Sequence, residues 1–205
     1  MSRAVLLASA STSRFRLLVD SGIDPYVQVS QVDEDLLEAH LGPISTAQLV
    51  VALATAKGEA VVQNIKVTSE GNLLIIAADS MLELDGVSYG KPVTPEVARQ
   101  RWQQMRGKTG YLHSGHWVHD LATGQTRTGV AGAQIHFGHV TDAEIDDYVA
   151  SGEPLGVAGG FTHEGRSSAF ITRIDGDVAA VAGMSMSLLR QLAGELGISW
   201  TSLWK

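Results

Sequence analysis

Residues Leu73 to Ala78 form an unbroken run of six apolar side chains that ends in a carboxylate, Asp79. A run of this length and composition reads as a strand with no polar face, the kind buried inside an α/β sheet. Asp85-Gly86 then marks a hairpin turn, and Gly90-Lys91-Pro92 returns a cation on a second tight turn. Ligands of open α/β sheets sit at the carboxyl ends of strands. A buried strand ending in Asp79, followed by a turn carrying Lys91, can therefore hold an acid–base group and a cation beside a bound anion.

The rest of the chain supports an α/β class. Arg3 to Ala8 reads as a buried strand, Ser9 to Ser13 as a polar turn, and Arg14 to Ser21 as a short helix stopped by Gly22. Tyr26 to Val29 reads as a short strand. Ser45-x-x-Gln48 is a capping box that opens a long helix to about Gln63, and Thr141-x-x-Glu144 opens another that ends near Gly152. Thr94 and Pro95 start a helix to about Met105. Tyr111 to Asp120 and Gln125 to Phe137 read as paired strands around Ala122-Thr123-Gly124. Ala169 to Ile174 reads as a strand, Asp175-Gly176-Asp177 as a turn and Ser185 to Leu196 as a closing helix. Strands and helices alternate, and the hairpins make the sheet mixed rather than parallel.

Composition excludes several function classes. The 205 residues carry a net charge of −7, which argues against general binding to nucleic acid or to an anionic membrane. The chain has no cysteine, so thiolate catalysis, disulfides and cysteine metal sites are excluded. No run of 18 apolar residues predicts a membrane span, and the N-terminal apolar run is too short for a signal peptide. A cytoplasmic location is the expectation.

Several residues could carry chemistry, each beside a plainer reading. Ser9, Ser11 and Arg14 follow the first strand, where hydroxyls, helix N–H groups and a guanidinium can bind a phosphate; they could equally be a serine-rich helix cap. Asp33-Glu34-Asp35 could bind Mg²⁺ through oxygen ligands or simply open a helix, since acids favour the first turn. Lys57 is the sole cation of the apolar helix segment Val50 to Val62. Such a lysine either snorkels to water or meets an anion. Asp79 suits a general base or a metal ligand, because burial penalises its charged form unless a cation or metal compensates; its plain alternative is a turn cap. Lys108 is a further basic candidate. The seven histidines include His113-x-x-His116-x-x-His119, but alternation along a strand points His116 away from the other two. The aromatic tail Trp200 to Trp204 is expected to pack on the body or on a second subunit.

Taken together, these residues resemble the Maf family of nucleoside triphosphate pyrophosphatases over nearly the whole chain. Leu7-Ala8-Ser9-x-Ser11 with Arg14 is similar to its opening S-x-S-P-R-R motif. Asp33-Glu34 is similar to its acidic pair and Ala56-Lys57 to its helical lysine. Ala78-Asp79-Ser80, then Gly90-Lys91-Pro92, resemble its central A-D-T and G-K-P signature. Gly107-Lys108-Thr109 with Ser114-Gly115, Ala158-Gly159-Gly160-Phe161 with Glu164-Gly165, and Val181-Ala182-Gly183-Met184-Ser185 resemble later segments. The resemblance implies an elongated mixed β-sheet with flanking helices, folded as one domain (residues 1–205) of two lobes around a central cleft, often as a homodimer. It implies hydrolysis of a nucleoside triphosphate to the monophosphate and pyrophosphate with a divalent cation, Mg²⁺ or Mn²⁺. Asp79 matches the proton acceptor, with Asp79 and Glu34 as metal ligands. Ser9, Ser11, Arg14, Lys57 and Lys91 would hold the triphosphate, Lys57 and Lys91 also taking part in catalysis, and Glu164 would contact the base. A role in cell division is also associated with the family, so a nucleotide-binding regulator without turnover is the alternative, and a phosphatase taking only the γ-phosphate is a third. Two departures stand out. Thr12 and Ser13 replace the motif's Pro and first Arg, and Glu164 stands where the dTTP/UTP-preferring branch has Gln, more like the branch acting on 7-methyl-GTP. The preferred base is left open among dTTP, UTP, CTP and modified nucleotides.

Overall fold

The apolar run beginning at Leu73 forms a strand covered on both faces, and this coverage organises the chain. In a computed structural model, residues 3–65 and 72–205 are described. The chain is a mixed α/β structure that divides into two compact units. The first comprises residues 1–79, 114–131 and 183–205, and the second residues 80–113 and 132–182. Hydrogen bonding orders the main strands as β2 (Tyr26–Val27), β1 (Ala4–Leu7), β3 (Leu73–Leu84), β5 (Thr109–Asp120), β6 (Gln125–Phe137) and β7 (Ile171–Gly176), with β4 (Val87–Tyr89) added to β3. Strands β3 (Leu73–Leu84), β5 (Thr109–Asp120) and β6 (Gln125–Phe137) each contribute residues to both units.

In the first unit, β1 (Ala4–Leu7) runs parallel to both β2 (Tyr26–Val27) and β3, pairing Leu6 with Tyr26 and Leu7 with Ile76. The two-residue period of a strand splits the apolar run between two cores. Leu74, Ile76 and Ala78 join Val5, Leu7 and the closing helix α7 (Met186–Glu195). Leu73, Ile75 and Ala77 join Leu6, Ala54, Val61 and Trp117 under α3 (Thr46–Gln63). The Ser45/Gln48 capping box opens α3 as expected. Its buried stripe, Val50, Leu53, Ala54, Lys57, Gly58 and Val61, has the spacing of one helix face. Two glycines let α3 approach the sheet closely. A Cβ at Gly58 would lie 2.2 Å from the Trp117 ring, and one at Gly115 would lie 2.4 Å from the Val50 backbone. The tail packs on this same unit. Leu203 is buried in its core, and the Lys205 N–H donates to the Gly22 carbonyl.

In the second unit, the far end of β3 pairs antiparallel with β4 (Val87–Tyr89), and β6 pairs antiparallel with β7 (Ile171–Gly176). The hairpin turn uses Asp85 and Gly86, both at positive φ (53° and 79°), as a two-residue turn of this kind requires. Helix α4 (Pro95–Met105) is capped by Thr94 and buries Trp102 edge-on against Phe137, Tyr148 and Phe170. Helix α5 (Asp142–Ala150) starts at the Thr141 capping box.

Two expectations change. Asp79 does not end its strand. The strand continues to Leu84 because the returning β4 completes its backbone ladder. Asp175-Gly176 is not a turn but the end of β7, paired with Gln134 and Ala133, while Asp177 caps a short helix, α6 (Val178–Val181). The helix-start reading of the acidic trio holds: it opens α2 (Glu34–Leu41), with Asp33 as its cap. Among the described residues no helix is long and apolar enough to cross a membrane.

Candidate functional site

Asp79 shares the parity of Leu73, Ile75 and Ala77, so it faces the α3 side of the sheet. It lies three residues beyond Ile76, where pairing with β1 ends. Asp79 therefore stands just past the carboxyl end of the parallel β1–β3 ladder, although β3 itself runs on. Across from Asp79 is the one cation on the buried stripe of α3. Lys57 Nζ donates to Asp79 Oδ1 at 2.5 Å, and the same ammonium lies 2.9 Å from Glu34 Oε1. Lys57 and Asp79 are both buried, whereas the Glu34 side chain is 46% exposed. Among the described residues no side chain donates to Asp79 Oδ2.

The first turn of α1 (Thr12–Asp20) stands on the same unit. Ser11 is its cap, accepting from the Arg14 N–H. Thr12 thus occupies the first helical position, where the fixed φ of proline is well suited. Arg14 is partly buried. Its Nε donates to the Gly183 carbonyl at 2.9 Å and its Nη1 to Ser9 Oγ at 3.2 Å. Burial lowers the Arg14 pKa, and the Asp79 and Glu34 carboxylates oppose that shift. Ser9, Ser11, Arg14, Glu34, Lys57 and Asp79 therefore gather in the first unit.

One group was not anticipated. Glu38 follows Glu34 by four residues on α2, hence on the same helix face. Burial raises its carboxyl pKa, and Asp35, Asp79 and Glu34 raise it further. The i, i+4 spacing to Glu34 was the available signal, once the trio is taken as a helix start.

Lys91 and Glu164 belong to the second unit. Lys91 is exposed, and no carboxylate among the described residues lies within salt-bridge distance of it. Its turn is held from both sides, since Gly90 O accepts from Arg101 Nη1 (2.5 Å) and from the Gly159 N–H (3.0 Å). Sequence reading passed over Arg101, because a contact to a backbone carbonyl leaves no pattern in the partner residue. Glu164 is exposed in a turn whose base is fixed by Ser167. The Ser167 hydroxyl donates to Thr162 O and accepts from the Thr162 N–H. Lys108 pairs with Asp85 at 2.6 Å. The histidines have separate partners: His113 pairs with Glu83, His116 accepts from the Ser185 N–H, and His119 meets Thr126. Among the described residues no cluster of three or more His, Asp or Glu forms a metal-binding group. The pair Asp79 and Glu34 does offer hard oxygen donors of the type Mg²⁺ takes, with the Lys57 ammonium between them.

Comparison with known proteins finds relatives over nearly the whole chain. The chain is similar to a nucleoside triphosphate pyrophosphatase of Leifsonia xyli subsp. xyli, 46% identical over 97% of this chain and 95% of that protein. A nucleoside triphosphate pyrophosphatase of Streptomyces avermitilis is 46% identical over 98% and 95%. One from Nocardia farcinica is 44% identical over 100% and 98%. A solved HAM1 protein from Coxiella burnetii is 12% identical, with a TM-score of 0.46 over 94% of this chain and 99% of that one. Residues 4–196 match the family described as Maf-like protein, and the chain belongs to that family.

Proposed function

We propose that this protein is a nucleoside triphosphate pyrophosphatase that converts a nucleoside triphosphate to the monophosphate and pyrophosphate. The observation that carries the reading is the buried Lys57–Asp79 pair with Glu34 beside it. The reaction adds a water oxygen to the α-phosphorus, breaks the bond from that phosphorus to the bridging oxygen, and releases pyrophosphate with the bond's electron pair. The water must lose a proton, and Asp79 Oδ2 is the basic atom suited to accept it. Lys57 holds the other oxygen and fixes the carboxylate in direction. The first turn of α1, with Ser9, Ser11 and Arg14, supplies hydroxyl, N–H and guanidinium donors of the type that bind phosphate oxygens. Lys91 adds a cation with no carboxylate among the described residues within salt-bridge distance. Asp79 and Glu34 would hold Mg²⁺ or Mn²⁺, which when bound neutralises charge on the phosphates.

We assign base recognition to the turn bearing Glu164. A carboxylate there favours a base presenting N–H donors or carrying positive charge, so modified guanine nucleotides join the pyrimidine nucleotides as candidates. A house-cleaning role toward such nucleotides, in the cytoplasm and as a homodimer, completes the proposal.

The decisive experiment measures phosphate products from a panel of canonical and methylated nucleoside triphosphates. Pyrophosphate is expected from the wild type with Mg²⁺ or Mn²⁺. Removing the base should cost a factor of about 10²–10⁴ in Asp79→Asn. Orthophosphate instead of pyrophosphate, or tight nucleotide binding with no turnover, would overturn the reading, the latter in favour of a nucleotide-binding regulator of cell division.

A further inference from the structure

The turn that carries Lys91 is strained. Val93 has φ 67°, and the Thr94 N–H donates to Pro92 O at 2.7 Å, which makes a γ-turn centred on Val93. Positive φ is rare for a β-branched residue, and a γ-turn of this hand is among the least favourable turns. Such backbone persists only where its surroundings over-determine it. Here they do. The Val93 N–H donates to Leu155 O, a Cβ on Gly160 would lie 3.2 Å from Pro92, and Gly90 O accepts from both Arg101 and the Gly159 N–H.

Arg101 has an unusual setting. Its guanidinium stacks 5.2 Å over the Tyr89 ring and spends a donor on a backbone carbonyl. No carboxylate among the described residues lies within salt-bridge distance of it, while its helix neighbours Arg99 and Arg106 pair with Asp146 and Asp142. Burial accordingly lowers its pKa. Keeping a partly desolvated cation without a counter-ion is unfavourable, so some other gain must retain it. Its contact is one residue from Lys91.

We propose that Arg101 is a positioning residue for Lys91, holding the Gly90–Val93 turn in its strained form so that the lysine is presented as a fixed cation. The inference rests on the pyrophosphatase reading, in which Lys91 binds the triphosphate. It predicts that Arg101 acts through Lys91 and not independently.

A double-mutant cycle on pyrophosphate release tests this. Arg101→Met should lower kcat/KM by about tenfold, since small displacements of a binding group weaken catalysis steeply. Arg101→Lys, which keeps a cation and a donor, should recover most of that loss. In a Lys91→Met background, Arg101→Met should change kcat/KM by less than about twofold, because the group it positions is gone. The proposal is overturned if Arg101→Met is silent in the wild-type background, or lowers kcat/KM equally with and without Lys91. Hydrogen exchange at the Gly159 amide gives a readout free of activity. This amide shares the Gly90 carbonyl with Arg101, so it should exchange faster in Arg101→Met, and unchanged exchange also overturns the proposal. A wild type that releases no pyrophosphate defeats the functional reading instead, and the exchange measurement still decides whether Arg101 holds the turn.

Discussion

The two candidate lysines are held in opposite ways. Lys57, in the first unit, is buried on the apolar stripe of α3 and paired with two carboxylates. Lys91, in the second, is exposed, has no carboxylate partner among the described residues, and is fixed through its backbone rather than its ammonium. A buried ammonium is tolerated only when its charge is compensated within the protein, so the work of Lys57 is to hold Asp79. An exposed ammonium on a turn fixed through its backbone is open to an incoming anion. Substrate affinity should therefore be sought in the second unit's cation, and folding energy in the first unit's.

Removing each lysine tests that division. Lys57→Met leaves Asp79 buried beside an apolar chain, and deleting one partner of a buried pair costs about 3 kcal/mol or more. Glu34 contributes less to the loss, since its side chain is 46% exposed. Denaturant unfolding should show the midpoint falling strongly, with activity lost as well. Lys91→Met should cost activity alone. Its unfolding free energy should stay within about 0.5 kcal/mol of wild type, while kcat/KM drops about 100-fold through loss of charge stabilisation. Equal destabilisation by the two substitutions would erase the distinction.

The division also explains what could be read from the sequence. Local signals survived intact: the Ser45 and Thr141 capping boxes, the Asp85-Gly86 turn and the Thr94-Pro95 helix start depend on neighbours within a few residues. Lys57 and Asp79 were each legible as charges in apolar settings. Their pairing was not, because it spans 22 residues and depends on α3 lying over the odd-numbered face of β3. The extension of β3 past Asp79 was hidden because Ser80 to Glu83 lacks a clean apolar run, and its partner β4 has only three residues. At Asp175-Gly176, turn propensity gave way to ladder bonds with Gln134 and Ala133, and the Asp175 carboxylate meets His136 Nε2 at 2.9 Å. Arg101 left no trace, because any residue offers a carbonyl.

The smallest effect concerns the surplus of negative charge around Lys57. Glu38 feels Asp35, Asp79 and Glu34, and the Lys57 ammonium opposes them. Burial and these three carboxylates raise its pKa above the ordinary 4.5, so the folded protein retains that proton to higher pH than the unfolded chain does. Stability from this group is complete below the ordinary carboxyl pKa and declines as pH rises from there through the folded value. Glu38→Gln removes the ionisation, so its melting temperature should fall less than that of wild type between about pH 4.5, the ordinary carboxyl value, and neutrality. At neutral pH it should melt at or slightly above wild type. Thermal melts across that range measure the difference. If Glu38→Gln melts well below wild type at neutral pH, the Glu38 charge stabilises the cluster, and the first unit's acids are not in excess over its cations.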